Sequence, residues 1–137
     1  MKRVFVDTNI VIDLIGNRAP FVKDAQRLFT LAERKEVEIY VSALTIANTY
    51  YALTRTYKVD AAKKYLQLLK VLVNVVSFDH QTIDAALASK FDDLEDGFQH
   101  FMALQCQADL IITRNKKDFR HAQLPTLTAT EFLRRSS

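Results

Sequence analysis

At 137 residues the chain has the length of one domain and can bury a sizeable core without staples. Its 49% hydrophobic content, formal charge of +3 and pI near 9.0 exclude a disordered or strongly basic tail-like protein. Cys106 is the only cysteine, which excludes a disulfide framework and a cysteine-rich metal knuckle and fits a reducing cytoplasm.

Lys2 and Arg3 precede an apolar stretch, but Asp7 and Asp13 interrupt it, so no secretory signal is expected. No run approaches the ~20 apolar residues of a membrane span. Two glycines and two prolines leave little room for linkers, and the expectation is a single domain over residues 1–137.

In chain order, Val4-Phe5-Val6 reads as a buried strand. After Asn17-Arg18-Ala19-Pro20, the residues Phe21, Ala25, Leu28, Phe29 and Ala32 recur at helical spacing. Glu38 to Val41 is a second strand, followed by a helix carrying Leu44, Ala47, Tyr50 and Tyr51. Ala61 to Leu72 forms another helix, and Val73 to Phe78 a third strand. A helix passes through Ile83 and Leu87, and a longer one runs from about Asp93 to Gln107. Leu110 to Thr113 is the fourth strand, with Leu127 in a short fifth. Thr128-Ala129-Thr130-Glu131 matches a capping box and opens the last helix. Alternating strands and helices predict an α/β fold with a mainly parallel sheet covered on both faces.

Ligands of such sheets bind beyond the carboxyl ends of the strands. Asp7 follows the first strand, Ser42 the second, Asp79 the third, and Thr113-Arg114-Asn115 the fourth. Each acid also has a plain structural reading. Asp7 and Asp79 suit helix N-caps, the acids at 92–96 suit a helix N-terminus, and Asp109 lies on the opposite sheet edge. Capping explains any one of them, but not Asp7-Thr8-Asn9 together with Glu95-Asp96 and Thr113-Arg114-Asn115.

Taken together, "VFVDTNIVIDLI", "YVSALTIANTYYAL", "FDDLEDGFQHFMALQCQADLIITRNKKDF" and "LPTLTATEFL" resemble the PIN-domain family, which includes the VapC-like toxins. The resemblance implies a three-layer α/β/α fold with four to five strands. It implies an acid cluster holding Mg²⁺ or Mn²⁺, hydrolysis of RNA phosphodiester bonds, a small antitoxin partner and a homodimer. By position, Asp7 and Asp96 match catalytic, metal-holding acids. Thr8, Asn9, Ser42 and Thr113 match polar positions around them. Asn48 and Asn115 stand where the family usually or often carries acids, with Asp118 three residues beyond Asn115. Arg114, Lys116 and Lys117 then become phosphate contacts.

The rival reading is a PIN fold with a weakened metal site that binds RNA or protein without cutting. A phosphoacceptor receiver domain is disfavoured, because Asp7 has no adjacent acid. His80, His100 and His121 match no zinc spacing, and His100 is expected at the surface or in a groove. Tyr50, Tyr51 and Tyr57 are expected in core or interface rather than as base-stacking platforms.

Overall fold

The computed structural model describes residues 1–136. Strand β1 (Lys2–Val6) leads directly into helix α1 (Thr8–Ile15), and α2 (Val22–Glu33) precedes β2 (Val37–Ser42). Then come α3 (Ala43–Leu53), α4 (Val59–Leu72), β3 (Val73–Val76), α5 (His80–Leu87) and α6 (Leu94–Gln105). The chain closes with β4 (Leu110–Ile112), a 3-10 turn at Lys116–Phe119, β5 (Thr126–Leu127) and α7 (Ala129–Ser136). The expected elements are present, with several bounds shifted by a residue or two. Helix α4 begins at Val59 rather than Ala61, and β3 ends at Val76 rather than Phe78. Strand β3 stops there because its last partner, Ser42, is where β2 turns into α3.

The five strands are all parallel, in the order β3-β2-β1-β4-β5. The sheet therefore separates two layers of helices. Side chains alternate across β1 as a period of two requires. Val4 and Val6 pack with Ile10, Val11, Leu28 and Phe132 on one face. Phe5 faces the other way and packs with Met102, Ala103 and Phe119. The central strand is fully buried at Val4, Phe5 and Val6, which is why it reads as a continuous apolar run.

From β1 the chain goes first to β2 and β3 on one side, and later to β4 and β5 on the other. The order thus reverses between β1 and β4, leaving a crevice beyond their carboxyl ends. Asp7 and Thr113 are the residues that stand there. Among the described residues, no helix is long and apolar enough to cross a membrane.

The local start signals work as sequence chemistry demands. Thr128 Oγ1 accepts from the Glu131 N–H at 3.1 Å, and Glu131 Oε1 accepts from the Thr128 N–H at 2.9 Å. That is a reciprocal capping box. Asp79 caps α5 by accepting from the N–H groups of Gln81 and Thr82. Asp109 accepts from the Arg3 N–H at 2.8 Å, a structural tie at the amino edge of the sheet.

Candidate active site

Asp7 ends β1 and caps α1, its Oδ1 accepting from the Thr8 N–H at 2.8 Å. Two long-range donors hold the same carboxylate. Gln99 Nε2 donates to Oδ1 at 2.9 Å, and Thr113 Oγ1 donates to Oδ2 at 2.7 Å. Thr113 Oγ1 in turn accepts from the Asn115 N–H at 3.0 Å. Elements α1, α6 and β4 therefore converge on one buried acid that is only 5% exposed. All its donors are neutral.

Beneath it, the Thr8 and Thr45 hydroxyls bond at 2.8 Å, tying α1 to α3. Ser42 is fully buried and caps α3, accepting from the Leu44 N–H at 2.9 Å. The threonines and the serine thus fix the geometry of the crevice rather than lining it with free polar groups.

Helix α6 brings the other acids. Asp93 caps it, accepting from the Asp96 N–H at 3.2 Å. Glu95 and Asp96 follow in its first turn, where the helix dipole favours negative charge. The approach of α6 to α5 depends on Gly97, since a Cβ there would lie 3.2 Å from Ala86 Cβ and 3.5 Å from Phe91 Cβ.

Burial pushes the Asp96 carboxyl up to about 7, helped by the charges of Asp93, Asp7, Asp118 and Glu95. Burial also pushes Glu95 up, with Asp93 and Asp7 adding to it and the Asn48 amide pulling it back. That amide donates from Nδ2 to Glu95 Oε1 at 3.1 Å. Like charges thus bear on both acids of the α6 first turn: Asp93 and Asp7 on Glu95, and Asp93, Asp7, Asp118 and Glu95 on Asp96.

The structure brings Asp7, Asp96, Asn48, Thr8, Ser42, Thr113 and Asp118 to this end of the molecule. Asn9 is half-buried on α1, and Asn115 is exposed at the start of the 3-10 turn.

Of the expected phosphate contacts, Arg114 already has a partner within the chain. Arg114 is engaged by fully buried Asp13, with Nε 2.9 Å from Oδ2 and Nη2 donating to Oδ1 at 3.2 Å. The first approach lies off the N–H axis, so it is an ion pair rather than a formal hydrogen bond. The guanidinium also sits 3.9 Å from the Phe21 ring centroid. Arg114 is therefore anchored by Asp13 and Phe21, with 27% of its side chain exposed. Lys116 is exposed but pairs with Glu131 at 3.1 Å, and Lys117 is exposed.

His100 was expected at the surface or in a groove, and it lines a pocket. It is 1% exposed and lies in ring contact with Phe91 and Phe101, not at the surface. Gln99 was absent from the expected site, and Glu95 was singled out with Asp96 but given no role of its own. The sequence signal for Gln99 is spacing, since Gln99 follows Asp96 by three residues and Glu95 by four, the separations at which helix side chains are neighbours.

A family profile described as PIN domain matches residues 3–117. The chain belongs to the PIN-domain family. Comparison with curated protein sequences found no match. Among solved structures, a toxin-antitoxin complex from Klebsiella pneumoniae superposes with TM-score 0.69 at 21% identity, covering 92% of this chain and 97% of that one. VapBC-1 from nontypeable Haemophilus influenzae gives 0.66 at 23% identity, with 93% and 98% coverage. VapC20 of Mycobacterium tuberculosis, a toxin that cleaves the sarcin-ricin loop, gives 0.63 at 18%, with 79% and 86% coverage. These likenesses carry the PIN fold across nearly the whole chain.

Proposed function

We propose that this PIN domain is a Mg²⁺- or Mn²⁺-dependent endoribonuclease and the toxin half of a toxin-antitoxin pair. The observation that carries the reading is that buried Asp7 is held only by neutral donors while the nearby Asp96 is raised by burial and by the charges of surrounding acids. Carboxylates held together without an internal cation are costly, and a divalent ion removes that cost.

The donors suit such an ion. They are hard oxygens, and Asp96 held near 7 is the behaviour of an acid whose counter-charge comes from outside the chain. Among the described residues, no three His, Cys, Asp or Glu side chains are grouped around one ion position. Mg²⁺ accepts as few as one or two carboxylates and keeps several waters, so the pair Asp7 and Asp96 satisfies it. Glu95, Asn48, Asn115 and Asp118 stand around that pair. When bound, the cation activates a water and offsets charge on the phosphoryl oxygens.

The chain's own residues do the rest. Gln99, Thr8 and Thr113 fix the Asp7 carboxylate in one orientation, so its position does not depend on substrate. The Asn48 amide holds Glu95, keeping a second carboxylate against the crevice. Lys117 remains available for a phosphate of the RNA backbone. The toxins among the structural relatives motivate an RNA substrate, a small antitoxin partner and action in the cytoplasm as a homodimer.

The test is RNA cleavage with Mg²⁺, Mn²⁺ or a chelator, comparing wild type with Asp7→Ala. Cleavage that needs the cation and disappears in the variant supports the reading. Cation-independent cleavage, or cleavage undiminished in Asp7→Ala, sinks it. Asn48 and Asn115, neutral where the family usually or often carries acids, favour a second reading: an RNA- or protein-binding module that does not cut. A melting temperature unmoved by Mg²⁺ or Mn²⁺ would favour that alternative, because a ligand binding only the native state must stabilise it.

A further inference from the structure

Arg114 starts directly beside the acid centre, because the Thr113 hydroxyl donates to Asp7 Oδ2 at 2.7 Å and Arg114 is the next residue. Its side chain leaves the centre along α1. Fully buried Asp13 takes one edge of the guanidinium, with Nε 2.9 Å from Oδ2 and Nη2 donating to Oδ1. The same carboxylate has a second cation, the Arg18 guanidinium, 3.8 Å away. Arg18 then lines a pocket of about 210 Å³ together with Arg55, between the end of α1 and the end of α3. Asp7 and Asp13 are separated by about 9 Å along the axis of α1, at its rise of about 1.5 Å per residue. The arginines therefore extend from the crevice toward the far end of that helix.

Two guanidinium groups share one carboxylate here, which leaves a positive charge over. Arg55 adds another, since among the described residues its side chain makes no hydrogen bond or ion pair. All three arginines reach solvent. Half of the Arg18 side chain and 27% of the Arg114 side chain are exposed, and Arg55 is exposed. Thr56 and Tyr57 add hydroxyl groups to the pocket of Arg18 and Arg55.

Helix ends offer a plainer use for such residues, because cations near a C-terminus complement the helix dipole. Among the described residues, neither Arg18 nor Arg55 donates from its side chain to a helix-end carbonyl. The carbonyls of Ile12, Asp13, Leu14, Tyr50 and Leu53 accept from backbone N–H groups instead. The guanidinium groups are thus left for a partner outside the chain. Arginine presents five N–H donors in a planar fork, so an edge held by Asp13 leaves others for a second anion. Positive charges repeated along a helix match an anion whose charges repeat along its length, as those of a single-stranded nucleic acid do.

We infer that Arg114, Arg18 and Arg55 form a track for the phosphate backbone of RNA, carrying the strand from the crevice along α1. The inference rests on the ribonuclease reading for its ligand, while its test needs no cleavage. Phosphate contacts position a strand without reading its sequence. The track therefore sets how firmly and along which line the RNA lies, and not which base is cut.

The experiment measures binding of the full chain to a short unstructured single-stranded RNA by fluorescence anisotropy, in EDTA, from about 50 to 200 mM salt. Each phosphate contact on a single strand contributes about 0.7 to the slope of log affinity against log salt. Arg18→Ala and Arg55→Ala should each weaken binding by a similar factor across RNA sequences and lower that slope by about 0.7. Arg18→Lys and Arg55→Lys keep the charge and should keep most of the slope. Lys90→Ala removes an exposed cation that stands beside α6 and should leave the slope as it is. Melting curves of each variant check that the fold is retained.

Unchanged slopes in both alanine variants, or an equal fall in Lys90→Ala, would overturn the inference. So would polyglutamate of matched length that binds as well as RNA and loses as much in the two variants, since the track would then fit an acidic protein segment. The two readings fail separately. Slopes that fall as expected in a chain that cuts no RNA with any cation would remove the nuclease reading and keep the track. Cation-dependent cleavage with both slopes unchanged would do the reverse.

Discussion

Two buried aspartates bracket helix α1, and they are solved in opposite ways. Asp13 is fully buried and receives Arg114 at 2.9 Å, with Arg18 at 3.8 Å. Burial pushes its carboxyl up, and the two arginines pull it back. Asp7 is nearly as buried, yet its partners are a backbone N–H, an amide and a hydroxyl, and its neighbours are other acids. Adjacent residues, Thr113 and Arg114, serve the two sites. One acid has its counter-charge built into the chain and holds structure. The other is oriented but left without a counter-charge, the arrangement the proposed cation site requires.

The sharpest way to break this comparison is Asp7→Asn. An amide keeps an oxygen for the Thr8 and Gln99 donors, so unfolding free energy should change by no more than about 1 kcal/mol, one hydrogen bond's worth. Cation-dependent cleavage and cation-induced stabilisation should both vanish. Urea denaturation with and without Mg²⁺ reads both, and a variant that unfolds would make Asp7 chiefly a helix cap.

Arg114→Ala should act the other way, on stability first. Removing one partner of a buried pair strands the other charge and costs about 3–5 kcal/mol. A loss below about 1 kcal/mol would mean that Asp13 tolerates burial by taking up a proton.

The acid cluster should also set the pH dependence. With Asp96 raised to about 7 from an unfolded value near ~3.9, the native state binds more protons than the unfolded one between those values. Stability should therefore fall as pH rises from about 4 to 7, with raised Glu95 adding to the trend, and then level off. Partial exposure of Asp96 reduces the expected loss to about 1–2 kcal/mol. Saturating Mg²⁺ at pH 8 should recover it. Melting curves at pH 5 and 8 that slope the opposite way would remove the case for crowded acids.

The smallest effect belongs to Asn48→Glu. The change deletes the amide donor to Glu95 and places a like charge beside it. Without divalent cation the variant should lose about 1 kcal/mol, and calorimetry should show tighter Mg²⁺ or Mn²⁺ binding. Unchanged affinity would mean that the centre is built around the amide.

Much of the fold was legible because its signals are local. The apolar run of β1, the caps at Asp79 and Thr128, and the strand-end positions of Asp7, Ser42 and Thr113 depend on neighbours a few residues away. The short span of β3 and the 3-10 turn at 116–119 were not legible, since pairing with β2 and packing of Phe119 decide them. Within the site, the positions of Asp7 and Asp96 could be read from motif and strand order. Gln99 could not, because its acceptor lies 92 residues earlier. The partner of Arg114 was not legible for the same reason. A cation beside acidic motifs suggests phosphate, whereas its actual partner, Asp13, stands 101 residues away.

The sequence alone determined the alternation of strands and helices, the parallel sheet and the set of acids that its strand and helix ends present. Period-two and helical patterns are written in the side chains themselves, and caps need only backbone groups nearby. Tertiary structure decided which buried charge finds a partner. It gave Arg114 to Asp13, placed Gln99 and Thr113 on Asp7, and sank His100 beneath Phe91. Burial and long-range distance set the strength of those contacts, and neither exists until the sheet has brought its strands together.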